Sequence, residues 1–157
     1  IDVKNGQRFK ESDTLSAGNS ITVFDTKWGK MGLCICYDFR FPELARLMVD
    51  LGAKIILVPA AFNMTTGPLH WELLFQSRAV DNQVFTIGTA PARNLNASYH
   101  SYGHSIIVSP WGKFLNQADF EETALFTTIN LNEINLVREQ IPLLRHRRLD
   151  IYELTQK

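Results

Sequence analysis

The stretch from Met31 to Pro59 constrains the fold of this 157-residue sequence more than any other part of it. It begins with the apolar run MGLCI (31–35). From Pro42, which suits the first turn of a helix, apolar residues recur at helical spacing until Gly52, a typical helix end. The β-branched run Ile55–Pro59 follows and is typical of a strand buried on both faces of a sheet. Together they predict a βαβ unit.

Strands and helices continue to alternate along the rest of the chain. Alternating or β-branched runs predict strands over 21–26, 84–89, 105–108 and 124–129, the first forming a hairpin with 31–35 through the turn 27–30. Helical patterns predict one helix that opens at 65–68 and runs to about Asn82, with Leu69, Leu73 and Val80 on one face, and another over Asn132–Gln140. The pattern indicates one layered α/β domain over residues 1–157.

Composition and charge restrict the classes of partner. Hydrophobic residues make up 45% of the chain and charged residues 20%, and the formal net charge is zero. These values are globular and disfavour a nucleic-acid-binding protein, so we interpret the basic tail 145–148 as a solvated face or a subunit contact. No apolar run approaches the ~20 residues that span a bilayer, and residues 1–6 do not resemble a secretory signal. We expect a soluble cytoplasmic protein that does not contact membranes, with the mitochondrion as the alternative compartment.

The cysteines and histidines match no metal-site pattern. Cys34 and Cys36 are two residues apart, so a disulfide between them would close a small, strained ring. The four histidines do not form an HExxH or paired C-x-x-C arrangement. We therefore predict neither a metal nor any other cofactor.

Cys36 is the strongest candidate for a reactive residue. Most cysteines in apolar runs are packing residues, and Cys34, inside the predicted strand, is interpreted in that way. Cys36 comes where the strand should end and the helix begin, and ligands of α/β sheets bind at the carboxyl ends of strands. Backbone N–H groups of such a turn can stabilise an oxyanion. A base must still activate the thiol, and no histidine lies nearby in the sequence, so a Cys-His enzyme remains open but unsupported.

Polar residues around the predicted turn allow more than one interpretation. Asp38, Arg40 and Glu43 are expected to pair with one another or with the N-terminus of the helix and so to support the turn. The residues that follow the strand ending at Pro59 are either a pocket wall or an ordinary loop leading to a helix, and the sequence does not decide between them: Phe62, Asn63 and Thr66. Glu72 is expected to be a buried polar support.

Five segments resemble the carbon–nitrogen hydrolase (nitrilase) superfamily. They are GLCICYDFRFPEL, VPAAFNMTTGPLHWELLFQSRAVDNQ, PARN, YGHSIIVSPWG and RRLDIY, and they follow in the family's order over nearly the whole chain. The Nit branch fits best, and AFNMTTGPLHWELL resembles its omega-amidases. The resemblance implies an αββα sandwich, of which this chain supplies roughly the C-terminal half.

The same resemblance implies roles for individual residues. Cys36 aligns with the nucleophile of the family, and the backbone N–H of Tyr37 would help to hold the oxyanion. Glu11 stands where many members have a second glutamate, and by hydrogen bonding it would position the substrate amide and the family's lysine. Without the family spacing, Glu11 would be interpreted as one more acidic residue on a solvated loop. The implied reaction passes through a thioester and releases ammonia from a small-molecule amide, and the family's subunits form homo-oligomers.

The family's base glutamate and lysine do not occur at matching positions. In the family they belong to the half of the fold that precedes this sequence, so we expect the chain to need that N-terminal half. A sandwich without it would expose one apolar sheet face. A proteolysed product, a partly determined chain and one half of a two-chain enzyme all remain open.

Several functions remain as alternatives. The leading hypothesis is hydrolysis of small ω-amides of dicarboxylates, such as α-ketoglutaramate or succinamate. Deaminated-glutathione amidases share the turn around Cys36, so the choice of substrate depends on the AFNMTTGP stretch. A catalytically dead nitrilase-like interaction module is a different class of function. A thiol–disulfide module built on Cys34 and Cys36 leaves the five matched segments unexplained.

Overall fold

The computed structural model describes residues 10–156 and contains one six-stranded sheet with helices on both faces. The strands lie side by side in chain order: β1 (Thr22–Thr26), β2 (Gly29–Leu33), β3 (Ile55–Pro59), β4 (Phe85–Thr89), β5 (Ile106–Val108) and β6 (Phe114–Gln117). The helices are α1 (Pro42–Asp50), α2 (Gly67–Asn82) and α3 (Asn132–Gln140), with short 3-10 turns at Glu11–Asp13 and Cys36–Arg40. The rest of the predicted 1–157 domain, residues 1–9 and 157, lies outside the described residues.

Parallel pairing at the centre of the sheet confirms the predicted βαβ unit. Met31 of β2 is in register with Ile55 of β3, which is in register with Phe85 of β4, and both pairings are parallel. The outer pairs, β1 with β2, β4 with β5 and β5 with β6, are antiparallel. Because β2, β3 and β4 run in the same direction, their carboxyl ends meet at one edge of the sheet.

The hairpin between β1 and β2 is tighter than predicted. Thr26 pairs with Gly29, so the loop contains two residues, Lys27 and Trp28, rather than the four residues 27–30. Gly29 has φ of +115°, a conformation that side chains disfavour, and this allows the strand to start at the glycine itself. β2 consequently ends at Leu33, and Cys34 only continues the ladder with a backbone N–H donated to the Leu57 carbonyl, 3.2 Å away.

The predicted strand over 124–129 is wrong. This segment is irregular, and the side chain of Phe126 is 85% exposed. The edge of the sheet is instead formed by β6, which folds back on β5 through a turn at Gly112, where φ is +75°. Segment 124–129 therefore only borders that edge, with Asn116 Nδ2 donating to the Phe126 carbonyl at 3.0 Å.

Helix α2 packs on the sheet with a different face from the one its leucines suggested. Leu69, Leu73 and Val80 are exposed, whereas the aromatic side chains of Trp71 and Phe75 are fully buried. The sheet makes room for Phe75 because β4 carries a glycine, Gly88, directly beneath its ring. Together with α1, α2 covers this face of the sheet and forms the larger core.

The opposite face of the sheet is only partly covered. Ile134 of α3 packs on Ile55 and Phe85, near the amino ends of the parallel strands. Further along these strands, Leu57 and Ile87 remain partly exposed. This uncovered apolar area agrees with the expectation that a sandwich without its other half exposes a sheet face.

Substitution of Gly88 by alanine tests the packing of α2 on β4. The new Cβ would lie 2.4 Å from Phe75 Cζ in a buried part of the core. Overpacking of this kind costs about 1–3 kcal/mol of unfolding free energy, which urea denaturation of the purified protein would measure. Gly18→Ala is the matched control, because nothing lies within 4 Å of its Cβ position. Equal stability of the two variants would contradict the tight contact.

Candidate active site

A cavity of about 650 Å³ lies at the sheet edge where β2, β3 and β4 end. Its walls come from segments that are distant in the sequence but follow neighbouring strands. The segment after β2 contributes Cys36, Tyr37 and Arg40, the segment after β3 contributes 60–63 and Thr66, and the end of β4 contributes 89–91, with Glu11 and Tyr99 completing the wall. The cavity has the size of a small-molecule site.

Cys36 occupies a strained position in this cavity. Its φ is +50°, in the left-handed region that costs a non-glycine residue about 1–2 kcal/mol. The 3-10 turn that it begins is held by Asp38, whose Oδ2 accepts a hydrogen bond from the Ile35 N–H at 3.3 Å. The expected supporting role of Asp38 is therefore observed. Strain in a turn that lines a cavity is a feature of functional sites.

The environment of the Cys36 thiol acts on its pKa in both directions. Burial has the largest effect and raises the pKa, and the nearby Glu11 carboxylate raises it further. Backbone hydrogen bonds from Ala61 and Tyr37, together with the positive charge of Arg40, lower it. The balance leaves the pKa above its ordinary value, so within this chain the thiol at rest is protonated near neutral pH.

Cys34 differs from Cys36 in every respect that matters for reactivity. It is 5% exposed, lies within the core between the sheet and the helices, and does not line the cavity. Burial, with the Asp38 charge as a smaller contribution, raises the pKa of Cys34 to about 12. Cys34 is a packing residue, as the sequence predicted.

Glu11 and Tyr37 are both found at the cavity. Glu11 lies in the first 3-10 turn with an exposed side chain, and its charge acts on both the Cys36 thiol and the Tyr99 hydroxyl. The Tyr37 ring packs edge-on against Phe41, with ring centroids 5.5 Å apart, whereas its backbone N–H contributes to the environment of the thiol.

The segment after β3 forms a cavity wall and also leads into helix α2. Phe62, Asn63 and Thr66 all line the cavity. Asn63 Oδ1 also accepts hydrogen bonds from the Thr65 and Thr66 N–H groups, at 2.9 and 2.8 Å, just before α2 begins. The two interpretations left open by the sequence therefore apply to the same residues.

Arg40 is the main cavity residue whose surroundings the sequence did not reveal. It was expected to pair with Asp38 or Glu43, but among residues 10–156 it forms no ion pair with a carboxylate. Its guanidinium instead lies 4.5 Å from the centroid of the Phe62 ring and 3.0 Å, through Nη1, from His70 Nδ1. The signal available in the sequence was a single cation four residues after Cys36.

Tyr99 also lines the cavity, whereas Glu72 does not. Tyr99 lies in the polar loop between β4 and β5 and was not predicted, although an aromatic residue in such a loop was a usable signal. Its hydroxyl donates to the carbonyl of Ala61, the residue whose backbone also contacts the thiol. Glu72 lies outside the cavity and accepts a hydrogen bond from Gln117 Nε2 at 2.6 Å, but it is half-buried rather than buried as predicted.

The described part of the chain contains neither a metal-binding cluster nor a membrane-spanning helix. Within residues 10–156, no three His, Cys, Asp or Glu side chains are grouped so that they could hold a metal ion. None of the helices in the same range is long and apolar enough to cross a bilayer.

The sequence matches a family model as well as individual relatives. The model for carbon-nitrogen hydrolases matches residues 1–139. The chain belongs to this family. Among curated relatives, it is 52% identical over all 157 residues to omega-amidase NIT2-A of Xenopus laevis, of which it covers 57%, and 51% identical over 152 residues to omega-amidase NIT3 of Saccharomyces cerevisiae. The chain thus spans little more than half the length of the relatives it matches.

Solved structures agree with the fold. Yeast Nit3, described as a member of branch 10 of the nitrilase superfamily, superposes with a TM-score of 0.80 at 51% identity, covering 88% of this chain and 51% of Nit3. The Caenorhabditis elegans NitFhit protein superposes with a TM-score of 0.90 at 37% identity, covering 98% of this chain and 38% of NitFhit. The predicted fold class is confirmed: the chain has the nitrilase-type α/β architecture and supplies about half of it.

The two cysteines should differ in their rates of alkylation. Peptide mapping by mass spectrometry after brief treatment of the native protein with iodoacetamide should find the label on Cys36, which lines the cavity, well before Cys34, which is buried. Labelling in denaturant provides the control, because both thiols should then react alike. Equal native rates would contradict the difference in environment.

Proposed function

We propose that the protein containing this chain is a cysteine-dependent amidase that hydrolyses small ω-amides of dicarboxylates, such as succinamate or α-ketoglutaramate. The observation that carries the proposal is the Cys36 thiol, held in a left-handed turn on the wall of the cavity beside backbone N–H groups. Relatives about half identical to the chain are named omega-amidases, and this supports the choice of substrate class.

The proposed reaction uses the thiol as a nucleophile. Cys36 sulfur attacks the carboxamide carbon as its proton passes to a base, and the oxyanion that forms accepts hydrogen bonds from main-chain N–H groups such as that of Tyr37. The carbon–nitrogen bond breaks, the nitrogen leaves as ammonia after gaining a proton, and a thioester remains. Water then adds to the thioester, the carbon–sulfur bond breaks, and the acid and the free thiol are released.

The base that this scheme needs is proposed to come from polypeptide outside these 157 residues. The raised pKa of Cys36 means that a proton acceptor has to assist the attack. The family resemblance implies a glutamate and a lysine for this task, contributed by the half of the fold that packs on the uncovered sheet face. Glu11, near the thiol, is proposed to position the carboxamide rather than to serve as the base.

Replacement of Cys36 by alanine tests the nucleophile. The full-length protein should release ammonia from succinamate, and Cys36→Ala should lower kcat by at least about 1,000-fold, because the thioester cannot form. Cys34→Ala is the matched control and should keep most of the activity, since Cys34 lies outside the cavity. An active Cys36→Ala enzyme, checked for contaminating amidase, would refute the proposal.

Replacement of Glu11 by glutamine tests its positioning role. We expect kcat to fall by up to about 100-fold, because misplacing the substrate amide relative to the thiol weakens the attack. The KM for succinamate should change much less, since Glu11 is not proposed to bind the distal end of the substrate. Steady-state kinetics separate the two constants. A normal kcat in Glu11→Gln would exclude a part for this carboxylate in the reaction.

A further inference from the structure

The loop between β4 and β5 packs against the segment that follows β3. Ser101 of this loop forms an antiparallel bridge with Asn63, and the Tyr102 N–H donates to the Phe62 carbonyl at 2.7 Å. Both Asn63 and Phe62 line the cavity. The loop therefore holds the main chain of the cavity wall in the way that a neighbouring strand would.

Side chains outside the cavity fix this loop in turn. The Arg93 guanidinium donates to the carbonyls of Ser101 and Tyr102, at 3.0 and 2.8 Å. Trp71, which is fully buried beneath α2, donates from Nε1 to the His104 carbonyl at 2.6 Å. The loop is thus tied to the core, and a side chain that it carries into the cavity has a defined position.

Tyr99 is the side chain of this loop that reaches the cavity wall. Its hydroxyl donates to the Ala61 carbonyl, and its side chain lines the cavity together with Cys36. Burial, with smaller contributions from the charges of Cys36 and Glu11, raises the pKa of the Tyr99 hydroxyl above its ordinary value. The hydroxyl therefore keeps its proton, and remains a donor to Ala61, at neutral and mildly alkaline pH.

Ala61 connects the Tyr99 hydroxyl with the Cys36 thiol. The N–H of the preceding residue, Ala60, donates to the Thr89 carbonyl of β4 at 2.9 Å. The Ala61 N–H acts instead on the Cys36 thiol, where it favours the thiolate. Because a residue has only two soft backbone dihedrals, a hydrogen bond that fixes the Ala61 carbonyl also restricts where its N–H can point.

We propose that Tyr99 is a positioning residue for the nucleophile, whose hydroxyl holds Ala61 so that the Ala61 N–H stabilises negative charge on the Cys36 sulfur. This inference rests on the proposed function, in which the sulfur carries negative charge twice. The first time is during the attack, as the thiol proton passes to the base. The second is when the carbon–sulfur bond of the thioester breaks and the sulfur departs, before it regains a proton. A fixed N–H donor stabilises both states.

Other groups around the thiol must be separated from the effect of this hydroxyl. Among the described residues, the other charged or titratable side chains that line the cavity with Cys36 are Glu11, Tyr37 and Arg40. Tyr99→Phe leaves all three in place and also keeps the aromatic ring. A changed thiol in this variant can therefore be assigned to the lost hydroxyl. A direct contact between Tyr99 and substrate is the competing role, and it would leave the thiol itself unchanged.

The decisive measurement is the pH dependence of Cys36 alkylation in the full-length protein, without substrate. Iodoacetamide reacts with the thiolate, so its rate follows the ionised fraction of the thiol, and peptide mapping by mass spectrometry identifies the label on Cys36. Tyr99→Phe is compared with the starting protein. Tyr102→Phe is the matched control, because it removes a hydroxyl from the same loop outside the cavity and keeps the N–H that donates to Phe62.

Tyr99→Phe should slow alkylation at neutral pH by about 3- to 10-fold and move the midpoint of the profile to higher pH, because the thiolate loses a donor. Above the midpoint the rates should converge, since the thiol is then ionised in both proteins. Tyr102→Phe should follow the starting protein. The proposal is overturned if Tyr99→Phe leaves the profile unchanged, if it slows alkylation equally at every pH, or if Tyr102→Phe produces the same shift.

Steady-state kinetics with succinamate test the same role during turnover. Tyr99→Phe should lower kcat by about 3- to 10-fold with little change in KM, because the lost stabilisation belongs to states in which the sulfur is charged. A raised KM with unchanged kcat would show a direct contact with substrate and refute the positioning role, and unchanged constants would refute any part in the reaction. Ammonia release that persists in Cys36→Ala would refute the amidase proposal alone, because alkylation still decides whether Tyr99 acts on the thiol.

Discussion

Parallel pairing of β2, β3 and β4 is the constraint on which the cavity depends. The three strands end at the same edge of the sheet, so the segments that follow them lie side by side. This brings together Cys36, Ala61 and Ala90, which are distant in the sequence. Were β3 antiparallel to β2, the segment after β3 would lie at the opposite edge from the thiol. The Ala61 backbone could then neither contact the thiol nor be held by the Tyr99 hydroxyl.

The strained turn at Cys36 and the charge of the thiol are connected. The left-handed φ presents the thiol to the backbone of Ala61 and Tyr37, whose hydrogen bonds favour a thiolate, while burial and Glu11 oppose it more strongly. A neutral thiol beside an ionised carboxylate avoids placing two negative charges together in a poorly solvated site. For the proposed reaction, this arrangement favours loss of the thiol proton during the attack over a resting thiolate, because negative charge then develops beside the backbone N–H donors.

Local sequence patterns were sufficient to predict the strands and helices whose residues form one unbroken pattern. The β-branched run of β3, the proline and glycine that bound α1, and the position of Cys36 after a strand all correspond to the structure. Features that depend on distant residues were not predictable. The face of α2 that packs depends on Gly88 beneath Phe75, the outer edge of the sheet depends on the turn at Gly112, and the orientation of Arg40 depends on His70, thirty residues away. The apolar stripe of α2 was misleading because hydrophobic spacing identifies a face without showing which neighbour it meets.

Helix α2 links the cavity wall to the packing of the core. His70 and Arg78 lie about two turns apart on this helix and contact Arg40 at its guanidinium and its carbonyl. Between them, Trp71 and Phe75 anchor the helix to the sheet, and Asn63, on the cavity wall, accepts a hydrogen bond from the N–H of Thr66, the residue just before the helix. A shift of α2 would therefore move both contacts of Arg40 together while the turn around Cys36 kept its own support from Asp38. Substitutions in the core beneath α2 should consequently displace the Arg40 side of the cavity before they displace the turn around Cys36.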